Sequence, residues 1–569
     1  MKKNLVVTFS LLLAILNSLS AQTPVPFVKT INNPNKWVDS VFKKMSRNEK
    51  IAQLFMVRAH TDLGQKYADS VAQVIKKQQL GGVVFFQGGP GRQALLTNQY
   101  QALAKIPLMI AMDAEWGLGM RLDSTVSYPY QMTLGAIQNN RLIYQMGQEV
   151  AKDFKRLGMH INFAPVMDIN NNPRNPVINY RSFGDNKYNA AQKSIAYMKG
   201  MQESGIFTTA KHFPGHGDTD VDSHYDLPKL PFTAARLDSL EMYPFKQAFA
   251  ENLSGIMVAH MNIPNLDSTK NLPSTLSKPI VTNILKEKLG FKGLIFSDAM
   301  GMKGVVKYFP NGEADVRGII AGNDVLELSE NTERAIHLIR KSIRHHRLTW
   351  EDINQKVKKI LEAKYWMGLN NLEEVNTQNV VTDLNRPASY QLIQNLTDAA
   401  VTVVKNDNII PLRNDFIRKT AVLCIGQKQE PAFYKSINQA HPNTTLFLIP
   451  KDLSDTEYNQ VKASLQNFDQ IINVVYDTRK RPSSQLDYNN NLKSLITDVS
   501  KANTISVILA NPYTIAGLPG IEKSKSIIVG YQNSVEMENS AAKVVLGKLK
   551  SQGKLPVSVN SFFKYGDGL

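Results

Sequence analysis

Eight short apolar runs, at residues 51–57, 82–86, 108–112, 161–165, 207–210, 255–260, 294–297 and 325–328, punctuate the first 330 residues of this chain. Short β-branched or aromatic runs bounded by turn residues are the mark of buried strands. Between them lie segments whose apolar residues recur with helical period, such as 142–157, 190–203 and 278–289. Strand and helix alternating eight times predicts a parallel (β/α)₈ barrel of the TIM type. A long amphipathic segment at 350–367 is expected to close that unit as a helix. Residues 371–385 then lose all periodicity and read as a linker. Beyond it, apolar runs at 400–404, 421–425, 445–449, 470–475, 505–510 and 526–529 alternate with helical segments such as 456–466 and 535–549. This pattern predicts a doubly wound α/β sandwich domain over 386–569, after a barrel domain over 22–370.

The N-terminus carries Lys2 and Lys3, an apolar core from residue 5 to 16, and then Ser18-Leu19-Ser20-Ala21-Gln22. That three-part order predicts a secretory signal over 1–21, and so an exported protein, periplasmic or extracellular. No later apolar run is long enough to span a bilayer. The sole cysteine, Cys424, lies inside an apolar run, which suits a buried thiol and excludes an intramolecular disulfide. The formal charge of +17, to which Lys2 and Lys3 contribute two, favours acidic partners, and anionic cell-wall polymer or membrane surface is the natural one for an exported chain. Nothing in the sequence resembles a nucleic-acid module.

Ionisable side chains gather most densely in Lys211-His212-Phe213-Pro214-Gly215-His216-Gly217-Asp218-Thr219-Asp220-Val221-Asp222-Ser223-His224, which begins where the fifth strand ends. Zinc would suit the residue types, but Pro214 and Gly215 forbid the regular helix that places an i, i+4 histidine pair on one face, so no metal and no cofactor is expected. Other strand ends carry comparable groups. Asp113 and Glu115 follow the third run, with Arg121 a few residues on; Arg181-Ser182-Phe183-Gly184 lies in the fourth region; Asp298 follows the seventh run directly. In a barrel these ends share one mouth, and a carboxylate fixed directly after a strand suits a nucleophile.

The set Lys-His-Phe-Pro-Gly-His-Gly-Asp-Thr with Asp-Ser-His after it, together with Phe-Ser-Asp-Ala-Met and Arg-Ser-Phe, resembles the β-N-acetylglucosaminidase branch of glycoside hydrolase family three. The likeness extends to the second domain through Val403-Val404-Lys405-Asn406-Asp407 and Leu555-Pro556-Val557. It implies a retaining exo-β-N-acetylglucosaminidase acting on carbohydrate. Asp298 would be the nucleophile and His224, oriented by Asp222, the acid/base, with Asp113, Arg121, Arg181, Lys211 and His212 lining the sugar site. Terminal β-linked N-acetylglucosamine on peptidoglycan or its fragments is the substrate implied, with a phosphorylase or another β-glycosidase of the family as the alternative. An imidazole suits such a role because its ordinary pKa lies near neutrality and a carboxylate partner fixes its tautomer. Trp116, beside Glu115, departs from the small residue that many relatives place there. The residues leave open the oligomeric state and whether the second domain reaches the site.

Overall fold

The computed structural model describes residues 23–223, 225–412 and 417–569. The predicted signal segment and His224 lie outside the described residues. Among those described, eight parallel strands form one sheet in the order β7-β6-β5-β4-β3-β2-β1-β8. They are β1 (Phe55–Ala59), β2 (Gly82–Phe85), β3 (Met109–Met112), β4 (Ile161–Asn162), β5 (Phe207–Phe213), β6 (Gly255–Val258), β7 (Leu294–Ser297) and β8 (Leu326–Glu327). A parallel bridge between Phe296 and Val325 joins β7 to β8 and closes the barrel.

The first run differs from its expected bounds. Ser46 and Glu49 form a reciprocal capping box that starts a helix at Arg47–Ala52, so the strand begins only at Phe55. The cap satisfies two orphan amides locally, which apolar content alone does not signal. β4 is also shorter than its run, because Pro165 cannot donate to a ladder.

Alternate strand residues point into the barrel. The rings of Phe163 and Phe207 meet Phe296 there, with centroids 5.5 and 6.3 Å away. At the end where strands begin, Phe27 and Trp366 pack on Phe207 at 5.3 and 6.1 Å and plug the floor. Trp366 ends the helix Trp350–Trp366, as the amphipathic pattern predicts. With the lower barrel filled by apolar side chains, polar groups can converge only at the opposite mouth.

The second sheet has six strands in the order β11-β10-β12-β13-β14-β9: β9 (Thr402–Asn406), β10 (Thr420–Ile425), β11 (Thr444–Ile449), β12 (Gln470–Tyr476), β13 (Thr504–Leu509) and β14 (Ser526–Val529). All pair in parallel except β9, which runs antiparallel to β14 at the edge. Cys424 is buried in β10, and burial raises its thiol pKa. The stretch read as an unstructured linker contains a short helix, Val380–Leu384, with Val380 and Leu384 buried. Two apolar residues at i, i+4 are too brief a pattern to stand out in sequence. Among the described residues, no helix is long and apolar enough to cross a membrane.

The two units dock tightly around Gly184. Its φ is +131°, a Cβ there would stand 2.1 Å from the Pro556 carbonyl oxygen, and the next amide, of Asp185, donates to that oxygen at 3.1 Å. Gly184→Ala is therefore expected to combine backbone strain with a forced separation of the units, destabilising the protein by about 2 kcal/mol or more. Thermal unfolding of the variant against wild type measures it; an unchanged melting temperature would contradict the contact.

Candidate active site

At the mouth, charges form a continuous ladder. Arg121 contacts one Asp113 oxygen at 2.6 Å, and Lys211 contacts the other at 2.6 Å. The same ammonium reaches Glu115 at 2.8 Å, and Arg181 clasps Glu115 with two bonds, of 2.9 and 2.6 Å. Lys211 is 3 % exposed and Glu115 fully buried. Burial by itself would raise both carboxyl pKa values. The cations outweigh it: Lys211 and Arg121 hold Asp113 far below the usual range, and Arg181 and Lys211 hold Glu115 at about 2. Burial likewise opposes the Lys211 charge, but Asp113 and Glu115 prevail and raise its pKa. A bidentate Arg–carboxylate pair also fixes orientation, which matters more in a binding site than net stability does.

Local sequence explains why these groups face one another. Asp113 and Lys211 continue the inward alternation of β3 and β5. Near Lys211 the β5–β6 register slips, so that Ala210 pairs with Ile256 and Phe213 with Val258. Such a bulge at a barrel rim re-aims side chains, and here it presents consecutive residues, Lys211 and His212, to the site.

His212 is held by a residue the sequence reading overlooked. Asp168, buried after β4, takes the His212 ring Nδ1 at 2.7 Å on one oxygen and accepts the amides of His212 and His216 at 3.2 and 2.7 Å on the other. Burial opposes its charge, but His212 and the other bonds keep it ionised below its ordinary pKa. An ionised carboxylate only accepts, so His212 carries its hydrogen on Nδ1 and keeps Nε2 for a second partner. His216 turns inward on its own loop: Thr219 Oγ1 lies 2.8 Å from Nδ1 and Ser223 Oγ 3.3 Å from Nε2. Burial lowers its pKa to about 4, so it is neutral at pH 7 and braces the loop. Among the described residues, no three metal-ligating side chains cluster as a metal site.

Asp298 follows β7. Its amide donates to Val258 at 3.0 Å, and its Oδ1 accepts the Ala299 amide at 2.7 Å, so backbone on both sides fixes its position. Asp222 is half-buried in the loop, where its carbonyl accepts the amides of Tyr225 and Asp226 at 3.0 and 3.1 Å. The structure thus joins Asp113, Arg121, Arg181 and Lys211 in one ladder through Glu115, holds His212 on Asp168, and places Asp298 directly after β7. Glu115 was legible as the residue two after Asp113. Asp168 had a weaker signal, a carboxylate directly after the buried run that ends in Val166 and Met167.

The second domain reaches this site through the 170–181 segment. Asn511 donates to Asn179 and the Tyr513 hydroxyl bonds Asn170, at 2.5 and 3.1 Å. From the same segment Asn175 donates to the His216 carbonyl at 2.9 Å and Asn172 to that of Thr219 at 3.1 Å. Arg181 itself ends the segment.

Family comparison agrees with this architecture. Residues 46–363 match the glycosyl hydrolase family 3 N-terminal domain, and residues 401–564 match the family's C-terminal domain. The chain belongs to glycosyl hydrolase family 3 and is a glycoside hydrolase. It is 26% identical over 551 residues to beta-hexosaminidase A of Pseudoalteromonas piscicida, an alignment covering 86% of this chain and 91% of the relative. A beta-hexosaminidase of Haemophilus influenzae is 31% identical over 286 residues, covering 48% of this chain and 80% of that protein. Among solved structures, a glycoside hydrolase family 3 beta-N-acetylglucosaminidase from Paenibacillus sp. superposes with a TM-score of 0.75 at 26% identity, covering 90% of this chain and 98% of the other.

The depressed Glu115 pKa carries a stability consequence. A carboxyl lowered from 4.5 to about 2 contributes stability that is complete above pH 4.5 and is lost as pH falls toward 2. The contribution is on the order of a few kcal/mol. Unfolding of wild type should therefore become steeply easier from pH 4.5 to 2, whereas Glu115→Gln should be less stable at pH 7 and flatter across that window. Parallel pH profiles of the two proteins would contradict the ladder.

Proposed function

We propose that the protein is an exported retaining exo-β-N-acetylglucosaminidase that removes terminal β-linked N-acetylglucosamine from peptidoglycan or its fragments. The observation that carries the reading is the fixed ladder from Arg121 to Arg181 at the mouth of a family 3 barrel whose seventh strand leads directly into Asp298. Anchored carboxylates and cations of this kind hydrogen-bond sugar hydroxyls with little reorganisation. The acetamido preference rests on the beta-hexosaminidase and beta-N-acetylglucosaminidase relatives. Export rests on the N-terminal signal pattern, and the wall substrate on the basic charge of an exported chain.

In this reading Asp298 attacks the anomeric carbon as the aglycone oxygen departs with a proton from His224. Water then attacks the glycosyl-enzyme, gives its proton to His224, and frees Asp298, so configuration is retained. Asp222 steadies the imidazolium and sets its tautomer. Asp113, Lys211, Arg181, Arg121 and His212 hold the sugar, and the Asp168 bond leaves His212 Nε2 to meet it.

Purified protein should release phenol from an aryl β-N-acetylglucosaminide, with the same free sugar formed in phosphate and in phosphate-free buffer. A glycosyl phosphate product would overturn hydrolysis, and preference for the aryl glucoside would overturn the acetamido reading. Asp298→Ala should lower turnover at least about 10³-fold while remaining folded. His224→Ala and Asp222→Asn should lose about 10²- to 10⁴-fold on substrates with poor leaving groups and far less on activated aryl glycosides, since a phenolate leaves with little protonation. Equal losses on both substrate kinds would remove the dyad from the mechanism.

A further inference from the structure

One carboxyl group at the mouth belongs to none of the contacts described above. Glu327 ends β8, and three observations place it level with Asp298. The Phe296–Val325 bridge aligns β8 with β7, and Asp298 and Glu327 each lie two residues further on, facing inward as Phe296 does. On the other side Glu327 pairs with Met56 of β1. Its backbone is pinned: its amide donates to Ser297 Oγ at 2.9 Å, and its carbonyl accepts the Met300 amide at 2.8 Å. The following Leu328 has φ +52°, a left-handed conformation that leucine rarely adopts, so the strand end is held in place at some cost.

The side chain is an anomaly in a folded core. Glu327 is 4 % exposed, and its Oε1 is buried without a hydrogen-bond partner. The charged groups that face it are Asp113 from β3, Asp298 from β7 and Lys211 from β5. Lys211 is already shared by Asp113 and Glu115, at 2.6 and 2.8 Å. Burial first, then the two carboxylates, push the Glu327 pKa well above that of an ordinary carboxyl, which favours its protonated form. A neutral carboxylic acid can both donate and accept a hydrogen bond. A buried polar group with no partner weakens a fold, and such groups persist where a ligand uses them.

We propose that Glu327 is a sugar-binding residue: its carboxyl group, level with Asp298 and left unpartnered on Oε1 by the protein, hydrogen-bonds a hydroxyl group of the sugar seated over the nucleophile. The inference rests on reading the mouth as the sugar site. It extends that site to the β8 wall, opposite the side from which Lys211 and His212 approach along β5, so the ring is held from both flanks of Asp298.

The test compares Glu327→Gln and Glu327→Leu in the full chain, using an aryl β-N-acetylglucosaminide and its analogues that lack one hydroxyl each. Gln keeps a neutral donor and acceptor and should stay within about threefold of wild-type kcat/KM; Leu should lose about 10- to 100-fold. One deoxy analogue should suffer no additional loss in the leucine variant, identifying the hydroxyl that Glu327 binds. The leucine variant should also melt at or above the wild-type temperature, because it removes a buried orphan; a residue kept for structure alone would lower it. Where Glu327→Leu does not fold, Glu327→Ala supplies the same kinetic comparison. Wild-type kcat/KM in the leucine or alanine variant, or a loss shared equally by every analogue together with a lower melting temperature, would overturn the proposal. A wild-type protein that turns over no β-N-acetylglucosaminide would instead overturn the function on which it rests.

Discussion

The site depends on one buried ammonium. Lys211 is nearly sealed from water, and moving such an ion into the interior is unfavourable by several kcal/mol unless strong partners meet it. Asp113 and Glu115 provide those partners, and each is in turn bound by an arginine, so two lysine contacts organise five residues from three strand regions. Removing either carboxylate leaves three cations to share one partner. Little rearrangement of that ladder is open to a bound sugar, which is what a preorganised binding surface requires.

The second domain serves the same end from outside. Among its described residues none lends a side chain to the ladder; it holds the 170–181 segment through Asn179 and Asn170 and presses on Gly184 through Pro556. That segment carries Arg181 at one end and braces the histidine loop through Asn172 and Asn175. Domain packing is thereby coupled to the position of a cation at the mouth and to the loop that bears Asp222.

Much of this was legible in the chain. Strand–helix alternation is a period-based signal, and eight repeats leave few other topologies, so the barrel and the six-stranded unit emerged with errors at element ends and one short helix missed between them. Those errors have local causes: the Ser46–Glu49 capping box converted the start of the first run to helix, and Pro165 shortened the fourth strand. Site residues that follow strands, such as Asp113, Lys211 and Asp298, were legible because the barrel sends all strand ends to one mouth. Asp168 and Glu327 were not. Each is a single acidic residue within or just after an apolar run, and its role is set by what other strands bring to it: His212 for the first, Asp113 and Asp298 for the second. Spacing along a chain carries no record of such meetings.

The central claim is that Asp298 forms a bond to the sugar. A fluorinated N-acetylglucosaminyl donor that slows both steps should load the protein with one sugar, seen by intact mass and mapped by proteolysis to the peptide that carries Asp298. A protein that turns over its substrate yet shows no adduct, or shows it on another carboxylate, would contradict the account.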